Sequence, residues 1–398
     1  MHTSGIICEC NPPHGGHRYL FEAARAHTDA AVGVMSGCLT QRGEAAILSP
    51  RVRARMLLDM GADAVVELPF PFSAAGGERF AAAGVSILSR LGVQELWFGS
   101  ECGDLARLRE AEEVSGTPEF LAAYRSAARS GAGTAAAYAE LLRLRMGGDA
   151  PLEPNDLLAV SYLRALRRQG SAMTPHTVRR QGDGFRAVTP GQTAFPSATA
   201  LRRLFRAEGA DALRRYCSPA AWELLRAEAE AGRAPADDSR LGAIFLTRLR
   251  TAEPEEFDRV PELGGGIGRR LIARARDCGD WETLLQQADV RCPRSRLRRG
   301  MLFALARVTA EDLRAEPAYA TLLVANRTGC AALRQGCGIP VVTKRSDLPS
   351  TGSAARQLTL TERALGLWAL CLPVPVPVAD LLRPSAYIAP GGAWRHGE

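Results

Sequence analysis

Two histidines, His14 and His17, lie in a turn that is rich in proline and glycine, after a short apolar segment and before a segment with helical spacing. A helix that begins directly after this turn presents free backbone N–H groups and the positive end of its dipole. Two imidazoles would add hydrogen bonds to an anion, and Gly15 and Gly16 let the backbone approach it closely. An isolated His-x-x-His pair is more often surface polarity, but the strand before and the helix after favour a polyphosphate site.

Three further residues would complete a nucleotide site if the fold brings them to this turn. Arg42, which follows the second apolar segment, could neutralise a phosphate or a substrate carboxylate. Gly99, at the end of another segment, would allow close passage of an adenine or a ribose. Asn155 is either a hydrogen-bond partner for a base edge or a helix N-cap. Arg42 and Gly99 also fit ordinary surface turns, so only their joint occurrence favours a site.

A fourth group combines arginines with hydroxyl groups at a predicted helix start. Arg179 and Arg180 end a predicted strand, and Ser197 and Thr199 begin a helix that carries Arg202 one turn later. Hydroxyl groups at a helix start with a guanidinium nearby form a second arrangement that holds phosphate.

Apolar strands alternate with helices over the first hundred residues and would position these groups. Strands are predicted at 5–9, 30–35, 64–68 and 95–98, and helices at 16–26, 51–60 and 77–91. This alternation predicts a parallel, doubly wound sheet of the Rossmann-like α/β class. In such sheets ligands bind beyond the carboxyl ends of the strands, where the loops at 14–17, 36–44 and 99–104 would meet.

Helical spacing dominates the rest of the chain, with one further strand. Helices are predicted within 105–146 and at 157–168, a strand at 176–180, and mainly helices beyond 210. We therefore predict two domains: residues 1–210 form the nucleotide-binding α/β domain, and residues 211–398 form a mainly α-helical domain.

The composition is that of a globular protein that favours an anionic partner. The formal net charge of +7 comes from arginine, and it suits RNA, although an arginine excess also fits a GC-rich genome. The ten cysteines show no paired metal-ligand spacing, which predicts reduced and mostly buried thiols. Neither a secretory signal nor a membrane span is predicted, so we expect a cytoplasmic protein.

The turn with His14, Gly16 and His17 looks like the signature of the nucleotidylyltransferase and class I aminoacyl-tRNA-synthetase superfamily, also called the HIGH-motif superfamily. More specifically, the chain resembles the bacterial tRNA(Met) cytidine acetate ligase family. The motifs that carry this resemblance are Gly5-Ile6-Ile7-x-Glu9-x-Asn11-Pro12-x-His14-x-Gly16-His17, Val34-Met35-Ser36-Gly37-x-x-x-Gln41-Arg42-Gly43-Glu44, Glu67-Leu68-Pro69, Phe98-Gly99-Ser100-Glu101, Asn155-Asp156, Arg179-Arg180 and Ser197-Ala198-Thr199-Ala200. The C-terminal half matches more loosely, at 294–299 and 339–344.

The resemblance implies an enzyme that activates acetate with ATP as acetyl-adenylate and acetylates N4 of the wobble cytidine of elongator tRNA(Met). We also expect Mg²⁺ to bridge the phosphates with few protein ligands, as in most ATP sites, and no protein metal site is predicted. From the chemistry of the residues, we expect His14, His17 and Arg202 to be catalytic by stabilising the α-phosphate and the leaving pyrophosphate, and Arg42, Ser197 and Thr199 to bind substrate or phosphate. The implied ATP-binding residues are Ile7, Cys8, Glu9, Cys10, Asn11, Pro12, Pro13, His14, Gly15, Gly16, His17, Arg18, Tyr19, Leu20, Gly99, Asn155, Arg179 and Arg180.

Binding of tRNA is expected from the C-terminal half, through contacts with phosphate. The densest arginine cluster there comprises Arg291, Arg294, Arg296, Arg298 and Arg299. A solvated helical face explains such a cluster equally well.

The sequence departs from the family pattern at three places. Cys38 stands where asparagine is expected, the run 264–268 is glycine-rich where acidic residues are usual, and Cys292 replaces an aromatic residue. Two alternatives therefore stay open: a nucleotidylyltransferase that moves AMP onto a phosphorylated small molecule, and an RNA-binding protein with a decayed nucleotide site.

Overall fold

The computed structural model describes residues 1–129, 134–148, 150–181, 196–288, 292–336 and 338–390. The strands within these ranges are β1 (Thr3–Cys8), β2 (Ala30–Ser36), β3 (Ala64–Leu68), β4 (Glu95–Ser100), β5 (Thr174–Arg179), β6 (Ala320–Ala325), β7 (Val341–Val342) and β8 (Tyr387–Ile388). The helices within these ranges are α1 (Gly15–Arg25), α2 (Pro50–Leu58), α3 (Gly77–Arg90), α4 (Leu105–Gly116), α5 (Pro118–Arg129), α6 (Thr134–Met146), α7 (Pro154–Gln169), α8 (Ala198–Glu208), α9 (Pro219–Glu230), α10 (Ser239–Arg250), α11 (Pro254–Asp258), α12 (Ile267–Ala275), α13 (Trp281–Gln287), α14 (Arg294–Ala306), α15 (Ala310–Arg314), α16 (Arg327–Leu333), α17 (Gly352–Ala369) and α18 (Val378–Leu382).

The described strands form one sheet in the order β5-β4-β1-β2-β3-β6-β7, and β8 pairs with β6. Strands β1 to β5 all run parallel to their neighbours among these five. Every residue of β1 and β2 is buried, as expected for parallel strands that helices cover on both faces. The predicted α/β class and the parallel sheet of the first 180 residues are confirmed.

The order of the strands reverses at β1, and this reversal creates the binding crevice. The chain builds β2 and β3 on one side of β1 and then returns to build β4 and β5 on the other side. Ligands of doubly wound sheets bind at such a switch point, beyond the carboxyl ends of the strands. Helix α1 begins directly after β1, so the histidine turn lies at this point.

The C-terminal half adds strands that the sequence analysis did not predict. Strand β6 pairs with β3 in antiparallel register, with Ala64 opposite Ala325, and the short strands β7 and β8 lie parallel to β6. The whole sheet is therefore mixed, and its edge comes from residues well beyond 210. The domain boundary at 210 stays a prediction.

Alternate residues of the strands contact opposite layers of helices. Ile7 packs in the cluster that contains residues of α3, α4 and α7, whereas Ile6 packs in the cluster formed with α1 and α2. A third cluster joins the C-terminal helices to the loop after β2, through Cys38, Leu39 and Ala45. The helical half therefore packs directly against the loop that carries Arg42.

Two further observations concern the sequence predictions. In the ranges that the structure describes, no helix is both long and apolar enough to cross a membrane. Nine of the ten cysteines lie in these ranges, all nine carry free thiols, and six of them are buried.

Candidate active site

A cavity of about 360 Å³ opens at the carboxyl ends of β1 and β4. The predicted residues that line it are Ile7, Cys8, Glu9, Cys10, Asn11, His14, His17, Leu20, Arg42, Gly99, Asn155, Arg180, Ser197, Thr199 and Arg202. Gly16 and Tyr19 line a smaller cavity of about 50 Å³ that shares His14, His17 and Arg180 with the first. The fold thus brings the histidine turn together with Arg42, Gly99 and Asn155 and with the arginine and hydroxyl groups at the start of α8, which are far apart in the sequence.

The remaining predicted ATP-binding residues lie outside the walls of both cavities. They are Pro12, Pro13, Gly15, Arg18 and Arg179. The side chain of Arg18 pairs instead with Asp59, at an N–O distance of 3.5 Å. Arg180 lines both cavities and Arg179 lines neither, so Arg180 is the arginine of the pair that reaches the site.

His14 and His17 cap α1 through their own rings. The N–H of Gly16 donates to Nδ1 of His14, and the N–H of His14 donates to Nδ1 of His17, both at 3.1 Å. The ring centroids are 4.0 Å apart. Because both Nδ1 atoms accept, each neutral ring carries its proton on Nε2. Both rings therefore provide an Nε2–H donor at the cavity wall.

Both histidines are uncharged at neutral pH. Burial, assisted by the charge of Arg180, lowers the pKa of His14 to about 3. Burial also lowers the pKa of His17 well below its usual range, and His14 and Arg180 add to that effect. The imidazoles thus act as neutral hydrogen-bond donors, and the positive charge in the cavity wall comes from Arg42, Arg180 and Arg202.

Arg202 connects the histidine turn to the start of α8 and to the loop after β2. Its guanidinium donates to the carbonyl oxygen of Asn11 at 2.8 Å and to the side chains of Glu44 and Thr199 at 3.3 Å. Ser197 caps α8 by accepting from the N–H of Ala200. The side chain of Arg202 is only 12% exposed, so these contacts fix its position.

Asn155 is not the N-cap of α7, because Glu153 occupies that position. The side-chain amide of Asn155 donates to Glu101 at 2.5 Å, and Glu101 also accepts from the backbone N–H groups of Asn155 and Asp156 at 3.1 Å. Asp156 in turn accepts from the N–H of Glu101 at 2.8 Å. The amide nitrogen is thus oriented toward Glu101, which leaves the side-chain oxygen of Asn155 as an acceptor for a ligand.

Gly99 makes room for Arg180. A Cβ atom at position 99 would lie 3.2 Å from Cγ of Arg180, closer than side chains normally pack. The backbone N–H of Arg180 donates to Ser100, and its Nε lies 3.8 Å from Glu101. The glycine therefore lets Arg180 lie along the end of β4, beside the cavity.

Arg53 is a supporting residue that the sequence analysis missed. It is fully buried and donates to the carbonyl oxygens of Leu48 at 3.1 Å, Glu9 at 2.7 Å and Ser36 at 3.0 Å, and also to Gly37. The carbonyl groups of Glu9, Ser36 and Gly37 lie at or just beyond the ends of β1 and β2, so Arg53 fixes the start of both loops behind the cavity. Arg53 lies in a segment that the sequence predicts as a helix, and nothing in that pattern indicates that its side chain is buried.

The predicted tRNA-binding arginines lie on or near α14, except that Arg291 falls outside the described residues. Arg294 is 58% exposed, with its Nη1 3.6 Å from Glu282. The other three have closer acidic partners: Arg296 with Glu262 at 3.4 Å, Arg298 with Glu282 at 2.6 Å and Arg299 with Glu262 at 3.2 Å. Among the four arginines of this group that the structure describes, Arg294 therefore has the guanidinium most available to RNA phosphate.

The three departures from the family pattern lie away from the cavity wall. Cys38 is buried, in a core cluster with the C-terminal helices. The glycine-rich run forms the turn before α12 and the first two residues of that helix, and Cys292 packs in part against the same core cluster as Cys38.

The chain matches known proteins over most of its length. A sequence profile of the HIGH nucleotidyl transferase family matches residues 1–376. The tRNA(Met) cytidine acetate ligase of Syntrophotalea carbinolica is 38% identical over 369 residues, which cover 88% of this chain and 86% of that protein. The ligase of the same name from Syntrophomonas wolfei is 33% identical over 318 residues, 77% of this chain and 76% of the relative.

Solved structures agree with this assignment. A crystal structure of Thermotoga maritima TmcAL bound with alpha-thio ATP has a TM-score of 0.87 and 26% identity, and covers 98% of this chain and 99% of that one. The apo form of the same protein gives a TM-score of 0.88, also with 26% identity, over 98% and 100% of the two chains. The resemblance predicted from the motifs is confirmed: the chain belongs to the HIGH nucleotidyl transferase family and to the tRNA(Met) cytidine acetate ligase family.

Proposed function

We propose that this protein is an ATP-dependent ligase that activates acetate as acetyl-adenylate and acetylates N4 of the wobble cytidine of elongator tRNA(Met). The observation that carries the proposal is the pair of neutral imidazoles at the start of α1, in a cavity whose wall also holds Arg42, Arg180 and Arg202. Family membership supports the same reaction, since relatives bear the name tRNA(Met) cytidine acetate ligase.

In the first step, a carboxylate oxygen of acetate attacks the α-phosphorus of ATP, and the bond to the β-phosphate oxygen breaks to release pyrophosphate. Charge builds on the α-phosphoryl oxygens and on the leaving group. The Nε2–H groups of His14 and His17 are fixed donors for that charge, because each Nδ1 is already occupied. Arg202 and Arg180 neutralise the leaving pyrophosphate, and Arg42 is the candidate that holds acetate.

The second step transfers the acetyl group to RNA. The N4 amine of cytidine attacks the acyl carbon, the acyl–phosphate bond breaks, AMP leaves with the bonding electrons and the amine loses a proton. This reaction needs no protein nucleophile, because the adenylate is already an activated acyl donor. The enzyme holds the amine and the acyl carbon in position for attack and excludes water from the adenylate.

Asn155 and Gly99 are proposed to bind the nucleoside part of ATP. The fixed orientation of the Asn155 amide provides one acceptor, and the end of β4 at Gly99 gives backbone access. Ser197 and Thr199 provide hydroxyl groups at the start of α8 for the phosphates.

Mg²⁺ would enter with ATP and would lower the negative charge of its phosphates. In the described parts of the chain, no group of three or more His, Cys, Asp or Glu side chains could form a metal site. The cavity carboxylates are engaged elsewhere: Glu9 accepts from the N–H of Gln41 at 2.7 Å, and Glu44 pairs with Arg202. Because both carboxylates already have protein partners, a metal in this cavity would be held mainly by the phosphates of ATP.

The tRNA is proposed to bind in the cytoplasm, through basic surface of the C-terminal half. Arg294 is the best-placed of the four predicted contacts that the structure describes, because its side chain is 58% exposed. The net charge of +7 favours association with RNA, whatever the nucleotide sequence of that RNA. Recognition of the particular tRNA requires base contacts in addition.

The test is pyrophosphate release from ATP by purified protein with acetate, with and without unmodified elongator tRNA(Met), followed by mass analysis of the tRNA nucleosides. We expect acetate-dependent release and N4-acetylcytidine in the tRNA. Absence of both would refute the ligase function. AMP transfer to a phosphorylated small molecule, or ATP-independent RNA binding, would then be tested in its place.

A further inference from the structure

We propose that Arg298 of helix α14 is a positioning residue for acetate activation, and that it acts through Glu44 and Arg202 on the histidine turn. The inference rests on the proposed function and adds a residue that lies outside the cavity wall. It also gives Arg298 a different task from the RNA contact that its arginine-rich neighbourhood predicts.

Acidic side chains from three parts of the chain hold the guanidinium of Arg298. It lies 2.6 Å from Glu282, 3.5 Å from Asp238 and 3.6 Å from Glu44. Its side chain is 21% exposed, against 58% for Arg294 on the same helix. An arginine in this environment is poorly placed to reach the phosphate of a bound RNA.

Glu44 connects Arg298 to the cavity. Its Oε1 lies 3.6 Å from Nη1 of Arg298, and its Oε2 lies 3.3 Å from Nη2 of Arg202. The side chain of Glu44 is 20% exposed, so little water screens either pair. The carboxylate of Glu44 is therefore shared between Arg298 on α14 and Arg202 at the cavity wall.

Arg202 carries the connection to the histidine turn. Its Nη1 donates to the carbonyl oxygen of Asn11 at 2.8 Å, and the side chain of Asn11 accepts from the N–H of Ile47 at 2.9 Å. Asn11 lies in the short segment between β1 and His14. A shift of Arg202 would move this segment and the two imidazole donors that follow it.

The backbone of the loop after β2 also lies against α14. Gly43 has a φ of +71°, and a Cβ atom there would lie 2.7 Å from Cβ of Arg298 and 2.8 Å from the backbone nitrogen of Arg299. Arg299 donates to the carbonyl oxygen of Gln41 at 3.4 Å. Helix α14 therefore supports the loop that holds both Glu44 and Arg42.

Without Arg298, Glu44 would lose one cationic neighbour and keep its ion pair with Arg202. Arg202 would then be drawn toward Glu44, and less of its positive charge would act on the leaving pyrophosphate. This charge matters most when the α–β phosphate bond breaks. The rate of activation should therefore fall more than the affinity for ATP.

The test compares Arg298→Ala, Arg298→Lys and Arg269→Ala with wild type, in acetate-dependent exchange of pyrophosphate into ATP without tRNA. Arg269 is a matched control, since it forms an ion pair with Asp258 at 2.7 Å on the surface of the same helical half. We expect Arg298→Ala to lower kcat by roughly 10- to 100-fold. We expect its KM for ATP to stay within about threefold, since ground-state contacts remain. Arg298→Lys should recover much of the rate, and Arg269→Ala should match wild type.

Three results would decide against the positioning role. The first is unchanged exchange in Arg298→Ala together with a higher KM for tRNA in the complete reaction, which would assign Arg298 to RNA binding. The second is an equal loss in the Ala and Lys variants with an equal drop in Tm, which would assign it to stability alone. The third is a rise in KM for ATP without a fall in kcat. A wild-type protein that shows no acetate-dependent exchange would instead refute the proposed function, and with it the step that Arg298 is inferred to assist.

Discussion

Glu101 and Asn155, which lie 54 residues apart in the sequence, are joined by a hydrogen bond between their side chains and a second to the backbone of Asn155. The carboxylate at the end of β4 thereby takes the place of a cap for α7. The same contact orients an amide that lines the cavity. Binding of ATP should therefore depend on Glu101, although Glu101 itself is not among the residues that line the cavity.

Replacement of Glu101 by Gln should weaken ATP binding by about tenfold, because one acceptor becomes an N–H donor that faces other donors. Asn155→Ala should have a similar effect. The double variant should be little worse than either single variant, with a coupling of about 1 kcal/mol. Calorimetric titration with ATP measures all three, and strictly additive losses would show that the two residues act independently.

His17→Ala should slow acetate-dependent pyrophosphate release by about 10²- to 10³-fold, the usual effect of removing one donor to a developing charge. Circular dichroism should show an intact fold. His27→Ala is the control, because His27 is an exposed histidine near the other end of the same helix. Equal turnover in wild type and His17→Ala would exclude His17 from the activation step.

Stability in acid should depend on His14. Its pKa is about 3 in the folded protein and near 6.5 when unfolded, so the unfolded chain binds one more proton between these values. Stability is therefore lost as pH falls below 6.5, by up to about 5 kcal/mol from this residue. Asparagine also caps helices and does not titrate, so His14→Asn should flatten the loss. Urea unfolding at pH 7, 6, 5 and 4 tests this, and parallel curves for the two proteins would contradict it.

Glu67 should have the opposite effect. Burial raises its pKa to about 7, although Arg51 and Arg53 act to lower it. Between 4.5 and 7 the folded protein holds the proton that the unfolded chain releases, so stability falls as pH rises through this window. Glu67 should account for a loss of up to about 3 kcal/mol in the free energy of unfolding as pH rises through this window, and Glu67→Gln should remove that loss. In unfolding measurements, Glu67→Gln should therefore be more stable relative to wild type at pH 8 than at pH 5, whereas the stability of the exposed control Glu110→Gln relative to wild type should not change between these pH values.

Local signals explain what the sequence predicted well. The positions of β1 to β5 along the chain, their parallel sheet and the place of the histidine turn follow from apolar segments and helical spacing that alternate in the sequence. His14 and His17 even cap the helix that their own turn begins. The residues of the cavity wall were predictable because strand ends and helix starts converge at a switch point.

Long-range contacts explain what the sequence did not predict. Strand β6 is a short apolar run in a helical region, and its partner β3 lies in the other half of the chain. Arg53 looks in the sequence like a solvated residue on a helix, yet its side chain is buried and its guanidinium donates to backbone carbonyl groups. The spacing of the arginines could not show that Arg298 and Arg294 have different roles, because the partners Glu44 and Asp238 of Arg298 are distant in sequence.

The pairing of β6 with β3 also affects how the protein is made. Every residue of the nucleotide cavity has been synthesised once Arg202 leaves the ribosome. At that moment β3 still has an open edge, which in a nascent chain can pair with other strands and aggregate. Only the emergence of Ala325 allows the edge to close. The catalytic groups are thus translated early, but the sheet that holds them is completed late, and a fragment that ends after Arg202 should be prone to aggregation.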